Sequence, residues 1–177
     1  MHTTLILGLG NTLLGDDGAG VQAARHVARL AAGRPDVELL DGGTLSFTLL
    51  PSLELHDRLI VLDAAGLGAA PGTVTCFESA AMDEFLGQPR RSVHEIGLCD
   101  LLDLSRLSGC FPSRRALIGI QPGFVGWRDG LTSEVDAALA PAADLALAVL
   151  DRWDAEDAPV ATVPRSVAAV ALAEDPP

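Results

Sequence analysis

Short, unbroken apolar runs alternate along the chain with longer segments in which apolar residues recur about every 3.6 positions. The runs predict strands that are covered on both faces, as in parallel sheets, and the periodic segments predict packed helices. The predicted strands are residues 4–8, 37–40, 58–62, 73–77 and 116–120, and the predicted helices are residues 18–30, 45–55, 95–107 and 133–153. Strands separated by helices imply right-handed crossovers. The sequence therefore predicts a single α/β domain, a doubly wound, mostly parallel five-stranded sheet with helices on both faces.

The composition changes after Trp153. Residues 154–177 are rich in alanine, proline and acidic residues, without a sustained period or an aromatic residue. Such a segment buries too little apolar surface to offset the entropy of ordering it. We therefore predict an α/β domain over residues 1–153 and an acidic, poorly ordered C-terminal tail over residues 154–177.

Charge and composition exclude several classes of function. Twelve arginines and no lysine stand against 24 acidic residues, so the formal net charge is −12. Nucleic acid and anionic membranes should therefore be repelled by most of the surface. The lack of lysine excludes a Schiff base and a phosphate-loop lysine, and the lack of tyrosine excludes a phenol acid. Three cysteines without CxxC spacing, and no apolar run long enough for a membrane helix, predict reduced thiols and a cytoplasmic protein.

Carboxylates follow three of the predicted strands. Asp16 and Asp17 follow the first strand, Asp41 follows the second, and Asp63 ends the third. In an open α/β sheet the site lies beyond the carboxyl ends of the strands, where the connecting loops diverge. The sequence therefore places its acidic residues where a site is expected.

The loop after the first strand resembles a phosphate-binding loop in its spacing but not in its chemistry. Gly10 and Gly15 have the GxxxxG spacing, yet Asp16 and Asp17 stand where that loop has lysine and serine or threonine. The dinucleotide fingerprint GxGxxG is not matched either, although Asp41 could imitate its ribose-binding acid. These acids either begin a helix, where aspartate stabilises the dipole, or bind a cation. We favour the helix start for Asp16, and both interpretations stand for Asp17.

Asp63 and His94 complete a candidate set of metal ligands. Asp63 follows four apolar residues, where an ionised carboxylate is costly unless it is paired, coordinated or used as a helix cap. His94 stands at the start of a predicted helix, which disfavours the protonated ring and leaves a lone pair for a metal, although a surface histidine is the simpler interpretation. With Asp17 they form an oxygen and nitrogen set with open positions, which suits a divalent transition metal.

Four segments carry a resemblance to a known family. They are ILGLGNTLLGDDGAGVQ at residues 6–22, LLDGGT at residues 39–44, LIVLDA at residues 59–64 and SVHEIGLCDLL at residues 92–102. In order and spacing they resemble the hydrogenase maturation endopeptidases of nickel-iron hydrogenases, over about residues 4–153. The resemblance implies a five-stranded α/β enzyme that removes a C-terminal extension from the hydrogenase large subunit after nickel insertion.

The resemblance also implies site residues and a partner. The family's catalytic and metal-contacting positions fall on Asp17, which is commonly glutamate in relatives, and on Asp63 and His94. The nickel belongs to the substrate, a nickel-loaded precursor of the large subunit, so no tightly bound cofactor is expected. Asp16 and the Asp41, Gly42 and Gly43 segment are expected in the substrate cleft. The family is usually grouped with aspartic peptidases, and either a carboxylate or the metal itself could activate water.

Two other functions compete with the protease. One is a Rossmann-like nucleotide-binding enzyme that uses the glycine loop and Asp41, and the other is a non-catalytic metallochaperone or scaffold. Partner choice is expected in the loops at residues 66–72, 85–91 and 123–131, where Trp127 is either a docking anchor or part of the core.

Overall fold

A computed structural model describes residues 2–44, 47–88 and 93–158. The strands are β1 (Thr4–Leu9), β2 (Val37–Gly43), β3 (Arg58–Ala64), β4 (Val74–Glu78) and β5 (Arg114–Ile120). The helices are α1 (Ala19–Leu30), α2 (Leu50–Glu54), α3 (Ala80–Leu86), α4 (Val93–Leu107) and α5 (Ser133–Asp157), with short 3-10 turns at Asp16–Gly18 and Phe47–Leu49.

The strands form one sheet in the order β2-β1-β3-β5-β4. Neighbouring strands are parallel except β4, which pairs antiparallel with β5 at one edge. The connection at residues 65–73 holds no helix. Strand β4 therefore begins near the carboxyl end of β3 and runs in the opposite direction to β3. The predicted α/β class and mostly parallel five-stranded sheet are confirmed.

Apolar side chains cover both faces of the sheet. Every residue of β1 and β3 is buried, which explains why their sequences are unbroken apolar runs. Along β1, Ile6 packs with α1 and α5 on one face, while Leu5, Leu7 and Leu9 pack with α2, α3 and α4 on the other. The sheet is therefore rigid where its strands end, and it can hold side chains there in fixed positions.

Three features differ from the predicted elements. Helix α3 was not predicted, and the single helix predicted for residues 45–55 is a 3-10 turn followed by the short α2, with residues 45–46 outside the described ranges. Helix α5 continues to Asp157, so the predicted boundary after Trp153 falls inside a helix. Residues 159–177 of the predicted tail lie outside the described residues. In the described part of the chain, no helix combines the length with the apolar character needed to cross a bilayer.

Candidate active site

Three elements bring Asp17, Asp63 and His94 together. Asp17 lies in the 3-10 turn that follows β1, Asp63 is near the end of β3, and His94 is the second residue of α4. Since β1 and β3 are parallel neighbours, their carboxyl ends meet at the same edge of the sheet. The N-terminal turn of α4 places the imidazole between the two carboxylates.

The imidazole faces one carboxylate with each ring nitrogen. His94 Nε2 is 3.5 Å from Asp17 Oδ2, and His94 Nδ1 is 3.5 Å from Asp63 Oδ1. Both distances exceed those of short hydrogen bonds. The side chains are largely withdrawn from solvent, with 5% of His94, 14% of Asp17 and none of Asp63 exposed. Asp17 is thus the most accessible member of this cluster.

Asp63 is a buried carboxylate, and few interactions offset the cost of removing its charge from water. Among the described residues, no donor makes a hydrogen bond of good geometry to either Asp63 oxygen. Burial raises the pKa of the Asp63 carboxyl above its ordinary value, and the His94 ring offsets this rise only in part. A positive charge arriving at the cluster would therefore be strongly favoured.

Glycines allow the first loop to pack closely enough to position Asp17. A Cβ on Gly10, whose φ is +128°, would lie 1.9 Å from the Asp17 carbonyl oxygen. A Cβ on Gly20 would lie 2.2 Å from the Leu62 carbonyl oxygen in β3. The Asn11 backbone N–H donates to Asp17 Oδ2 at 3.0 Å and fixes the carboxylate. The glycine spacing of this loop therefore serves close backbone packing around Asp17.

The Asp16 carboxylate points to a different part of the molecule. It is fully buried and accepts hydrogen bonds from the Gly123 and Phe124 N–H groups and from the Thr132 N–H and hydroxyl. Burial alone would raise the pKa of Asp16, but these bonds outweigh it and hold the pKa below its ordinary value. This environment favours a structural role for Asp16 over contact with a substrate.

Asp41, Gly42 and Gly43 lie at the end of β2, beside the end of β1. The Asp41 carboxylate accepts a hydrogen bond from the Gly43 N–H at 3.0 Å and lies 3.4 Å from the Arg25 guanidinium. Gly43 has a φ of +50°, and the space that a Cβ would fill there is open. An extended chain could therefore approach the backbone at this rim of the sheet.

The cluster is not a preformed metal site. Within residues 2–44, 47–88 and 93–158, no three His, Cys, Asp or Glu side chains are arranged to hold an ion together. The reason is the position of the ring, which lies between the carboxylates. The His94 ring would have to turn for one ion to contact all three side chains.

The fold and this cluster define a class of protein, an α/β enzyme with carboxylates and an imidazole gathered at the carboxyl edge of parallel strands. The family model of the hydrogenase maturation proteases, HycI, matches residues 21–149. The hydrogenase expression/formation protein HupD of Rhodobacter capsulatus is 35% identical over 176 residues, which cover 97% of this chain and 82% of HupD. The hydrogenase 2 maturation protease of Escherichia coli K12 is 34% identical over 156 residues, covering 88% of this chain and 94% of that protein.

Solved structures agree with these sequence matches. The hydrogenase maturating endopeptidase HybD from E. coli superimposes with a TM-score of 0.76 at 32% identity, covering 85% of this chain and 93% of HybD. HybD from Thermococcus kodakarensis gives a TM-score of 0.73 at 31% identity, covering 83% of this chain and 98% of that one. The chain therefore belongs to the hydrogenase maturation protease family and is an endopeptidase. The resemblance inferred from the four segments is confirmed.

Proposed function

We propose that this endopeptidase removes the C-terminal extension of a nickel-loaded precursor of a hydrogenase large subunit, with the nickel of the substrate as the recognition element. The observation that carries the proposal is the buried row of Asp17, His94 and Asp63 in a chain of this family. Membership of a protease family favours this function over a nucleotide-binding enzyme or a non-catalytic metallochaperone.

The donor atoms of the cluster suit an ion that the substrate delivers. The 3.5 Å between Asp17 Oδ2 and His94 Nε2 is only about 0.5 Å wider than the separation of about 3.0 Å for neighbouring ligands that each lie about 2.1 Å from one square-planar ion, the geometry typical of nickel, so a small side-chain movement would let both bind it. Imidazole and carboxylate together favour a divalent transition metal such as nickel. Among the described residues, the His94 ring at 3.5 Å is the side chain that faces Asp63 with a nitrogen, so the carboxylate adds to the attraction for the ion.

Asp17 is the carboxylate best placed to assist hydrolysis. The precursor's nickel, held at the cluster, would position the scissile peptide bond beside it. Asp17 accepts a proton from the attacking water as the water oxygen bonds to the carbonyl carbon, and the peptide C–N bond then breaks as the proton passes to the departing amine. The nickel can also polarise the carbonyl or the water. Asp16 takes no part in this proposal because its oxygens are occupied by the hydrogen bonds described above.

Mass spectrometry of a purified precursor tests the proposal. The precursor is incubated with and without this protein, in nickel-loaded and nickel-free forms, and a shortened large subunit is expected only when protein and nickel are both present. Asp63→Asn should process the nickel-loaded precursor far more slowly, whereas Asp103→Asn, the charge-matched control at an acid that is 69% exposed, should cleave like the wild type. Cleavage of the nickel-free precursor would show that nickel is not the recognition element. A stable complex without shortening would indicate a chaperone.

A further inference from the structure

Large apolar side chains are exposed together at the carboxyl edge of the sheet, beside the candidate active site. They lie on the loops that follow β1 and β5, and they are Leu13, which is 61% exposed, Phe124 at 46%, Val125 at 55% and Trp127 at 82%. We call these four residues the apolar platform. The exposure of Trp127 shows that it is not part of the core, which was one of its two predicted roles.

The remaining exposed large apolar residues of the described chain lie elsewhere. They are Leu30, Leu55 and Leu107, at 58%, 74% and 85% exposure. Leu30 and Leu107 are the last residues of α1 and α4, and Leu55 directly follows α2. Each of these helices leads into a parallel strand, so these residues lie at the opposite, amino edge of the sheet. The platform is therefore a local concentration of apolar surface at the edge that carries the candidate active site.

Backbone hydrogen bonds join the two loops into one surface. The Gly126 N–H donates to the Leu14 carbonyl at 3.2 Å, and the Asp16 N–H donates to the Phe124 carbonyl at 3.0 Å. Leu14 also forms a bridge with Arg128. The four platform side chains thus belong to one paired structure.

The buried Asp16 carboxylate anchors this paired structure. Its bonds to Gly123, Phe124 and Thr132 fix the loop after β5 at both ends. A Cβ on Gly126 would lie 3.0 Å from the Phe124 ring, so the loop is also closely packed on itself. A surface ordered before binding loses little conformational entropy when a partner covers it. Ordered and exposed apolar side chains are typical of an interaction surface.

We infer that the apolar platform is the docking surface for an apolar region of the precursor next to its cleavage site. The inference rests on the proposed function, in which a folded protein is cut at the Asp17, His94 and Asp63 cluster. The platform is continuous with the cluster, which favours the protein that is cut there as its occupant. Asn11 links them directly, because its N–H donates to Asp17 Oδ2 and its Oδ1 accepts from the Leu13 N–H. A folded protein whose chain enters the cluster therefore meets Leu13 beside it, and the loop pairing extends this contact to the rest of the platform.

The chemistry of the platform predicts how the precursor binds. Tryptophan is enriched among the residues that carry most of the binding energy at protein interfaces, so Trp127 should dominate. Contacts between apolar surfaces are not screened by salt, whereas attraction between exposed charges is. Binding through the platform should therefore change little with ionic strength.

Kinetics of the full-length protein test the inference. Trp127→Ser and Val125→Ser are compared with Leu30→Ser and Leu107→Ser, which remove similar exposed groups at the amino edge. Processing of the nickel-loaded precursor gives kcat and KM, and Tm confirms folding. For Trp127→Ser we expect KM to rise about tenfold or more with kcat nearly unchanged, and a smaller rise for Val125→Ser. The two controls should match the wild type at low and high salt.

A binding measurement separates this inference from the proposed function. Calorimetric titration of the precursor into Asp63→Asn, with and without Trp127→Ser, reports docking even if no cleavage occurs. Weaker binding in the double variant supports the platform, and a failure of the wild type to shorten the precursor would then count against the proposed function alone.

Three outcomes would contradict the inference that the precursor docks on the platform. One is an unchanged KM and an unchanged affinity in Trp127→Ser. Another is a wild-type dimer in sedimentation that Trp127→Ser converts to monomer, because the occupant would then be a second copy. A third is a large rise in the acrylamide quenching of Trp127 when residues 159–177 are deleted, because the chain itself would then cover the platform.

Discussion

Asp16 and Asp17 are neighbours in the sequence, yet their carboxylates lie in different surroundings and have different roles. The 3-10 turn directs Asp17 to the His94 ring and Asp16 into the interior, towards the loop after β5. The Asp16 oxygens only accept hydrogen bonds, and each faces a backbone N–H group. One residue thus serves the candidate active site, and the other holds the structure around it.

Replacing Asp16 should therefore reduce stability. In Asp16→Asn, an amide NH₂ would face N–H donors, so at least one charge-assisted hydrogen bond is lost and a donor is left without its acceptor. We expect the free energy of unfolding to fall by about 2–4 kcal/mol, measured by urea denaturation. Asp103→Asn, at an exposed acid, should change it by less than about 0.5 kcal/mol. Equal stability of the two variants would show that Asp16 does not hold the loop.

The Asp63 carboxylate should behave in the opposite way. Asp63→Asn keeps the size of the side chain and removes a buried carboxyl group. Burial raises the pKa of that group, which means that its charged form is costly in the folded protein. We expect the unfolding free energy to stay the same or rise, while processing of the nickel-loaded precursor falls by about 10²-fold or more. Chemical denaturation and precursor mass spectrometry measure the two effects. Cleavage at the wild-type rate would remove Asp63 from the site.

At the scale of elements, Asp83 links α3 to its neighbours in addition to the buried side chains of Met82 and Leu86. Its carboxylate accepts hydrogen bonds from two nitrogens of Arg115 in β5 and lies 3.7 Å from Arg106 in α4. Both guanidinium groups also lie over the Phe111 ring, Arg106 at 4.2 Å and Arg115 at 4.6 Å from its centroid. Asp83 therefore ties α3 to β5 and α4.

This ion pair predicts a pH-dependent contribution to stability. The hydrogen bonds from Arg115 hold the pKa of Asp83 below its ordinary value of 3.8. The stabilisation is therefore complete above that ordinary value and is lost as the pH falls through the lower pKa of the folded state. Because 36% of the Asp83 side chain is exposed, we expect Asp83→Asn to cost only about 1 kcal/mol at pH 7.

Urea denaturation of the wild type and Asp83→Asn from pH 7 to pH 2 checks this sign. The difference in unfolding free energy should shrink only below about pH 4. Glu84→Gln, at the next residue of α3, is the control, and its difference from the wild type should stay near zero. If the difference in unfolding free energy between the wild type and Asp83→Asn grew as the pH fell, the ionised Asp83 carboxylate would not be the stabilising form.

The elements that the sequence predicted best are those whose environment is uniform along their length. Strands β1 and β3 are buried throughout, so their apolar runs marked them clearly. Helix α3 buries only Met82 and Leu86, too few to produce a period. The placement of Asp17 and Asp63 at one sheet edge followed from their positions after predicted strands, and that of His94 from its position at a helix start and from the family resemblance. The position of the ring between the carboxylates did not, because it depends on packing between α4 and the sheet.

The role of Asp16 was also only partly predictable. The sequence favoured a helix start, but the hydrogen-bond partners of its side chain are 107 to 116 residues away along the chain. No local pattern encodes such a contact. The same holds for the end of α5, where Asp154 and Asp157 were assigned to the tail. Their partners Arg34, Arg58 and Arg114 are all distant in the sequence.

At the scale of the whole molecule, the two edges of the sheet use their charged residues differently. Acidic residues gather at the carboxyl edge, while Arg58 and Arg114 begin β3 and β5 at the amino edge, where they are register partners. Arg58 is 2% exposed, and its guanidinium pairs with Asp154 and Asp157 at the end of α5. Arg114 also pairs with Asp157. Helix α5 thus closes the structural edge and leaves the other edge open to a substrate.

This separation predicts that stability and activity can be changed independently. Asp154→Asn combined with Asp157→Asn would leave the buried Arg58 guanidinium without a carboxylate, and breaking a buried pair is strongly destabilising. We expect the unfolding free energy to fall by about 3 kcal/mol, with kcat and KM for the precursor unchanged at temperatures where the protein stays folded. The matched control, Asp151→Asn with Glu156→Gln, removes two charges from the same helix at side chains that are 68% and 48% exposed. It should cost about 1 kcal/mol or less. Equal losses in the two double variants would mean that overall charge, rather than the buried contact with Arg58, joins the end of α5 to the sheet.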